Sequence, residues 1–102
     1  MKCKIELTKA AWEDLKSIQE WYVLNFGKET ELNVTLKIKN ALNRLEDFPD
    51  SGSRVPDEWL DRQGYRMVIT GRHAAVYKHV GNIVFVYRIV DTRRQYTRLF
   101  YE

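Results

Sequence analysis

The stretch from Gln63 to Leu99, QGYRMVITGRHAAVYKHVGNIVFVYRIVDTRRQYTRL, decides the fold. Met67 and Ile69 alternate with Arg66, Val68 and Thr70 until Gly71 interrupts them. Ala75 and Tyr77 alternate with Ala74, Val76 and Lys78 until Val80-Gly81-Asn82 interrupts again. Period-two alternation punctuated by glycine predicts three short strands in a meander. The last of these, Ile83 to Val90, is apolar on both faces and belongs inside a sheet with cover on both sides. Two sets of side chains compete for the uncovered face: Arg66, Val68, Ala74, Val76, Val84, Val86 and Arg88, or the set that alternates with them. Alternation alone leaves both open, because both are apolar in the last strand.

Upstream, Cys3, Ile5 and Leu7 alternate with Lys2, Lys4 and Glu6, which predicts a half-buried first strand. Thr8 is placed to cap a helix from about Lys9 to about Asn25, with Glu13 and Asp14 early in it. Ala11, Leu15, Ile18 and Tyr22 share one helical face, and Trp12 and Trp21 flank it, expected to pack against the sheet and a partner helix. Exposed, these tryptophans would instead mark a binding surface. Gly27 suits a left-handed helix end. A second helix, from Lys28 or Glu29 to about Asp47, repeats the spacing with Val34, Ile38, Ala41, Leu45 and Phe48, widened by Leu32, Leu36 and Leu42. The short connection makes the pair an antiparallel hairpin. Phe48-Pro49-Asp50-Ser51-Gly52 stops it, and residues 53–62 read as a loop in which Trp59 and Leu60 tuck against the sheet.

The predicted architecture is therefore a single α+β domain over residues 1–102 with two layers, β-α-α-β-β-β. A helical hairpin packs on one face of a largely antiparallel four-stranded sheet. The 102 residues, 44% hydrophobic and 30% charged, suit one core in a globular domain. No apolar run reaches the roughly 18–20 residues of a membrane span, and the N-terminus lacks a signal-peptide core, so the expected location is cytoplasmic. Cys3 stands alone and reads as a small core residue.

The net charge of +3 is unevenly distributed. From residue 62 onward eight bases, seven of them arginine, face two acids. Arginine's planar fork suits phosphate and carboxylate, so this half fits a nucleic acid or an acidic protein. No ligand spacing for a metal occurs, nor a glycine-rich phosphate loop, so no metal or cofactor is expected.

Along nearly its whole length the chain resembles the RelE/ParE superfamily of bacterial toxin–antitoxin toxins. The resemblance rests on Ala11-Trp12-Glu13-Asp14-Leu15-Lys16-Ser17-Ile18, on Asn25-Phe26-Gly27-Lys28, and on Leu45-Glu46-Asp47-Phe48-Pro49-Asp50-Ser51-Gly52. It continues through Gly64-Tyr65-Arg66, Gly71-Arg72-His73, Val76-Tyr77-Lys78, Val84 to Arg88-Ile89, and Arg93-Arg94. It implies a toxin held inactive by a cognate antitoxin, with a homodimer as a further state, and one of two activities. RelE-like members cut mRNA in the ribosome without a metal; ParE-like members poison DNA gyrase. The long hairpin looks more like the ParE branch. For a nuclease, the resemblance and the chemistry of 2′-hydroxyl attack single out Arg66, His73, Arg94 and Tyr101 as catalytic. Arg62, Arg72, Arg88, Arg93, Arg98 and Tyr96 would then bind RNA or another target. RelE-like nucleases carry an arginine in the strand that here reads Ala74-Ala75-Val76-Tyr77, so that set is incomplete and gyrase is favoured. A degenerate, non-toxic binding module is the third reading.

Overall fold

A computed structural model describes residues 2–92. The chain runs β1 (Lys4–Leu7), α1 (Lys9–Phe26), α2 (Lys28–Asn43), a 3-10 turn at Arg44–Glu46, β2 (Ser53–Arg54), α3 (Glu58–Arg62), β3 (Tyr65–Thr70), β4 (His73–Val80) and β5 (Ile83–Asp91). The helical hairpin and α+β layering follow the sequence pattern. The sheet differs in detail: it has five strands in the order β1-β5-β4-β3-β2, with β1 parallel to β5 and every other pair antiparallel. The fifth strand is the two-residue β2, and the segment read as a loop holds the short helix α3, capped by the Asp57 carboxylate on the Leu60 N–H.

The hairpin forms where its periodicity says it should. Thr8 Oγ1 accepts from the Ala11 N–H at 3.1 Å and caps α1. The same hydroxyl donates to the Tyr87 carbonyl at 2.8 Å, so the cap also fastens the helix start to β5. Gly27 is the whole connection between α1 and α2. Its φ of 94° lies where a β-carbon is strained, and its N–H closes α1 onto the carbonyls of Tyr22 and Val23. Helix α2 stops at Asn43 rather than near Asp47, because the chain tightens into the 3-10 turn ahead of Pro49. Phe48 consequently leaves the apolar stripe and is exposed.

The main core lies between hairpin and sheet. Ala11, Leu15, Ile38, Leu42 and Leu45 pack on Ala75, Tyr77, Val84, Val86 and Ile89, with Ile5, Leu7, Ile18 and Val68 at the margin. A smaller core covers the other face, where Val55 and Leu60 meet Val76, Tyr65 and Met67. Strand β4 is thus buried on both sides from His73 to Tyr77. Neither set of strand side chains expected from alternation stays intact. Two features are the cause: the β3–β4 register sets Arg66 and Val68 opposite Tyr77 and Ala75, and a bulge follows in β5, where Val76 pairs with Arg88 but Tyr77 pairs with Val86, leaving Tyr87 as the extra residue. The phase of β5 slips by one there, so Val84, Val86 and then Ile89 all face the hairpin. Trp12, Trp21, Leu32, Leu36 and Trp59, all expected to pack, are instead about half exposed.

Gly52 explains why its loop tolerates no side chain. A β-carbon there would stand 2.5 Å from the Tyr77 hydroxyl and 2.8 Å from the Met67 carbonyl oxygen. The glycine N–H donates to Tyr77 Oη at 2.9 Å and its carbonyl accepts from Arg66 Nη1 at 3.1 Å. Gly52→Ala is expected to destabilise the chain by about 1–3 kcal/mol, the cost of forcing extra volume into a packed site. A urea titration checks this; an unchanged midpoint would show that the loop moves aside freely.

Candidate functional site

Three of the seven candidate arginines, Arg66, Arg72 and Arg88, lie on the meander, and the structure places those within the described residues. Arg62 ends α3 and pairs with Glu58 at 2.6 Å, both side chains exposed. Arg66 lies opposite Tyr77 on the hairpin face of β3 and is engaged by the Gly52 carbonyl. Arg72 stands exposed in the β3–β4 turn, where its carbonyl accepts from the Thr92 N–H at 2.9 Å. His73 is 6% exposed, its ring edge-on to Tyr22 with centroids 5.8 Å apart. Arg93, Arg94, Tyr96, Arg98 and Tyr101 lie outside the described residues.

Arg88 is the most constrained of the group. Its Nε and Nη2 donate to the two Asp14 carboxylate oxygens at 2.8 and 2.9 Å. Asp14 Oδ2 also accepts from the Ile89 N–H at 3.0 Å. The Arg88 and Asp14 side chains are only 24% and 16% exposed, so this is not a screened surface pair. The bulge at Tyr87 contributes to this arrangement. Arg88 stands opposite Val76, a residue of the smaller core, yet reaches round the β5 edge to the helix. Arg66 and Arg88 are therefore not brought together: one faces the hairpin from β3, the other is held at the far edge of β5.

Two features escaped the sequence reading. The first is an aromatic group on the sheet face away from the hairpin. Tyr65 and Tyr87 meet edge-on with centroids 5.2 Å apart, Phe85 lies 6.3 Å from Tyr87, and Lys78 Nζ sits 5.4 Å from the Tyr65 centroid. The spacing of Phe85 and Tyr87 at two residues was the available signal. Such rings with a cation can stack on a flat ligand or on protein side chains. The second feature is Arg54, whose guanidinium pairs with Asp61 (Nε to Oδ1 at 3.1 Å) and pulls that carboxyl below its usual range, chiefly by hydrogen bonding.

His79 is held rather than loose. Its Nε2 donates to the Gly81 carbonyl at 2.7 Å, while Nδ1 lies 3.1 Å from Asp50 and Cys3 Sγ lies 3.6 Å from Nε2. The nitrogen that faces the thiol is already used on a carbonyl. The cluster therefore fastens the β4–β5 turn to the loop at Asp50 and does not present a nucleophile with a waiting base. No group of three or more metal-ligating side chains occurs among the described residues. None of the described helices is long and apolar enough to cross a membrane.

The phenols answer a chemical question. Burial, and then the neighbouring Tyr87, raises the Tyr65 hydroxyl above its ordinary value of 10.0. Burial also raises Tyr77, against the opposing pull of the Gly52 N–H and the Arg66 charge. A tyrosine that abstracts a proton near neutral pH needs the opposite shift. Neither Tyr65 nor Tyr77 is therefore tuned as a base near neutral pH.

This fold is that of the RelE/ParE superfamily of toxins. The family described as the ParE toxin of the type II toxin–antitoxin system parDE matches residues 5–96, and the chain belongs to it. Among solved structures, that of the chromosomal ParDE toxin–antitoxin system from P. aeruginosa is similar at TM-score 0.72 and 23% identity, covering 88% of this chain and 96% of that one. The RelBE2 toxin–antitoxin complex from Mycobacterium tuberculosis follows at TM-score 0.61 and 16% identity, covering 89% and 99%. A conserved hypothetical protein from Helicobacter pylori, solved in solution, is similar at TM-score 0.56 and 15% identity, covering 90% and 97%. No curated protein matches the sequence.

The raised phenols fix a pH dependence. A group whose folded pKa exceeds its unfolded value contributes stability that is complete below the unfolded pKa, near 10.0 here, and is lost as pH rises through the folded value. Stability is expected to decline above about pH 10, and the decline should be shallower in Tyr77→Phe. Denaturant midpoints at pH 8 to 11 check this; parallel curves for the two proteins would contradict it.

Proposed function

We propose that this chain is the toxin of a toxin–antitoxin pair, held inactive by a cognate antitoxin, and that it arrests growth by binding DNA gyrase rather than by cutting RNA. The observation that carries the choice is the two-pronged Asp14–Arg88 pair. An arginine in a strand serves phosphoryl chemistry when its fork faces the phosphate that develops charge. Here the fork is filled by a carboxylate, and the neighbouring strand positions Ala74, Ala75 and Val76 are buried and apolar. The half-exposed Trp12, Trp21, Leu32 and Leu36 favour protein partners over RNA.

A second reading has one specific observation in its favour. The Tyr65, Tyr87, Phe85 and Lys78 group is the kind of face on which nucleic-acid bases stack. Ribosome-dependent cleavage of mRNA would use it together with Arg66, His73, Arg94 and Tyr101. The proposed reading makes Arg66 a loop anchor instead.

Expression of the chain without a partner separates these readings. Growth should stop, the DNA-damage response should be induced, and messages should stay intact. New 5′ ends inside codons, without DNA damage, would overturn the gyrase reading in favour of cleavage. Normal growth with folded protein present would overturn the toxin reading and leave a non-toxic binding module.

A further inference from the structure

Helix α2 begins with an acid in an unusual position. Glu31 is 5% exposed, although it lies one turn from the hairpin bend. Its Oε1 stands 3.3 Å from Lys28 Nζ, but its Oε2 is buried and has no hydrogen-bond partner among the described residues. A buried carboxylate oxygen without a donor is costly and uncommon. Lys28 does not cure it, since its side chain is 69% exposed and its ammonium reaches one oxygen only. Nearby, Gln19 donates to Thr35 at 3.4 Å and is not spent on the acid.

Beside Glu31 an open recess of about 390 Å³ lies between the last turns of α1 and the first turn of α2. It is lined by Gln19, Glu20, Val23, Leu24, Lys28 and Glu31. Val23 and Leu24 give it aliphatic sides, and two acids against one base give it a negative bias. Apolar sides with an anionic end match a side chain that has a hydrocarbon stem and a cationic head. A planar fork serves both oxygens of a carboxylate, whereas an ammonium serves one, as Lys28 already demonstrates.

We propose that this recess receives an arginine side chain from a protein partner, its guanidinium on the Glu31 carboxylate and its stem along Val23 and Leu24. Lys28 acts as a placeholder that swings into solvent when the arginine arrives. That the partner is the antitoxin rests on the functional reading above; the recess and its ligand chemistry do not.

The test uses the full chain, made by cell-free synthesis with 15N labelling, and needs no antitoxin. It is titrated with n-propylguanidinium, and with n-butylammonium as the control, while amide shifts are followed. Saturable shifts are expected at Val23, Leu24, Lys28 and Glu31, with the ammonium at least about fivefold weaker, the ratio one extra net hydrogen bond gives. Glu31→Gln should abolish saturation with the rest of the spectrum unchanged, and Lys28→Met should tighten binding by removing the competitor. Linear shifts, equal response to the ammonium, or saturation that survives Glu31→Gln would overturn the proposal. Should Glu31→Gln fail to fold, Lys28→Met decides: unchanged or weaker binding overturns it. Normal growth on expression would sink the toxin reading and leave this titration untouched.

Discussion

The Asp14 carboxylate holds the layers of this molecule in register. Strand β1 ends at Leu7 while β5 continues to Asp91, so the outer edge of β5 runs on past its parallel neighbour. An unpaired strand edge invites the wrong partner and leaves N–H groups to be satisfied. Thr8 and Asp14 close this one from α1. The Thr8 N–H and hydroxyl reach the carbonyls of Val86 and Tyr87, and Asp14 takes the Ile89 N–H along with both arms of Arg88. Three donors converge on one mostly buried carboxylate. Removing a partner from such a group costs about 2–3 kcal/mol, well above the worth of an exposed ion pair.

That constraint separates the arginines by role. A guanidinium held in a fork–fork pair at a helix–sheet seam contributes to folding, and its release for phosphate binding would leave Asp14 buried without its counter-charge. Three other described arginines are engaged elsewhere: Arg62 with Glu58, Arg54 with Asp61, Arg66 with the Gly52 carbonyl. Among the described residues, apolar and aromatic groups stand exposed beside the cations Arg72 and Lys78. The half-exposed side chains of the hairpin and the Tyr65–Tyr87–Phe85 group are surfaces on which a partner can pack.

The layout was legible because its signals are local. Ala11, Leu15, Ile18 and Tyr22 repeat at helical spacing, Gly27 permits one positive-φ residue to turn the hairpin, and Gly71 and Gly81 punctuate the meander. The features missed are non-local. The parallel pairing of Lys4–Leu7 with residues 83–86 joins the two ends of the chain, and nothing in either segment announces it. Strand β2 has two residues, too few for a period. The Tyr87 bulge moves the inward set of β5 by one residue, which defeats any reading by strict alternation. Asp14 read as an early-helix acid, though its real partner lies 74 residues away. Trp12 and Trp21 read as core because hydrophobicity marks what can be buried, not what is left uncovered for a partner. Glu31 gave no signal, since acids in a first helical turn are ordinary.

The most direct measurement is Arg88→Met, compared with the parent chain for urea stability and for growth arrest at matched levels of folded protein. If Arg88 clamps the β5 edge, stability falls by about 2–3 kcal/mol while the folded variant still stops growth. A variant that is as stable as the parent but no longer arrests growth would place Arg88 in the chemistry and contradict this account.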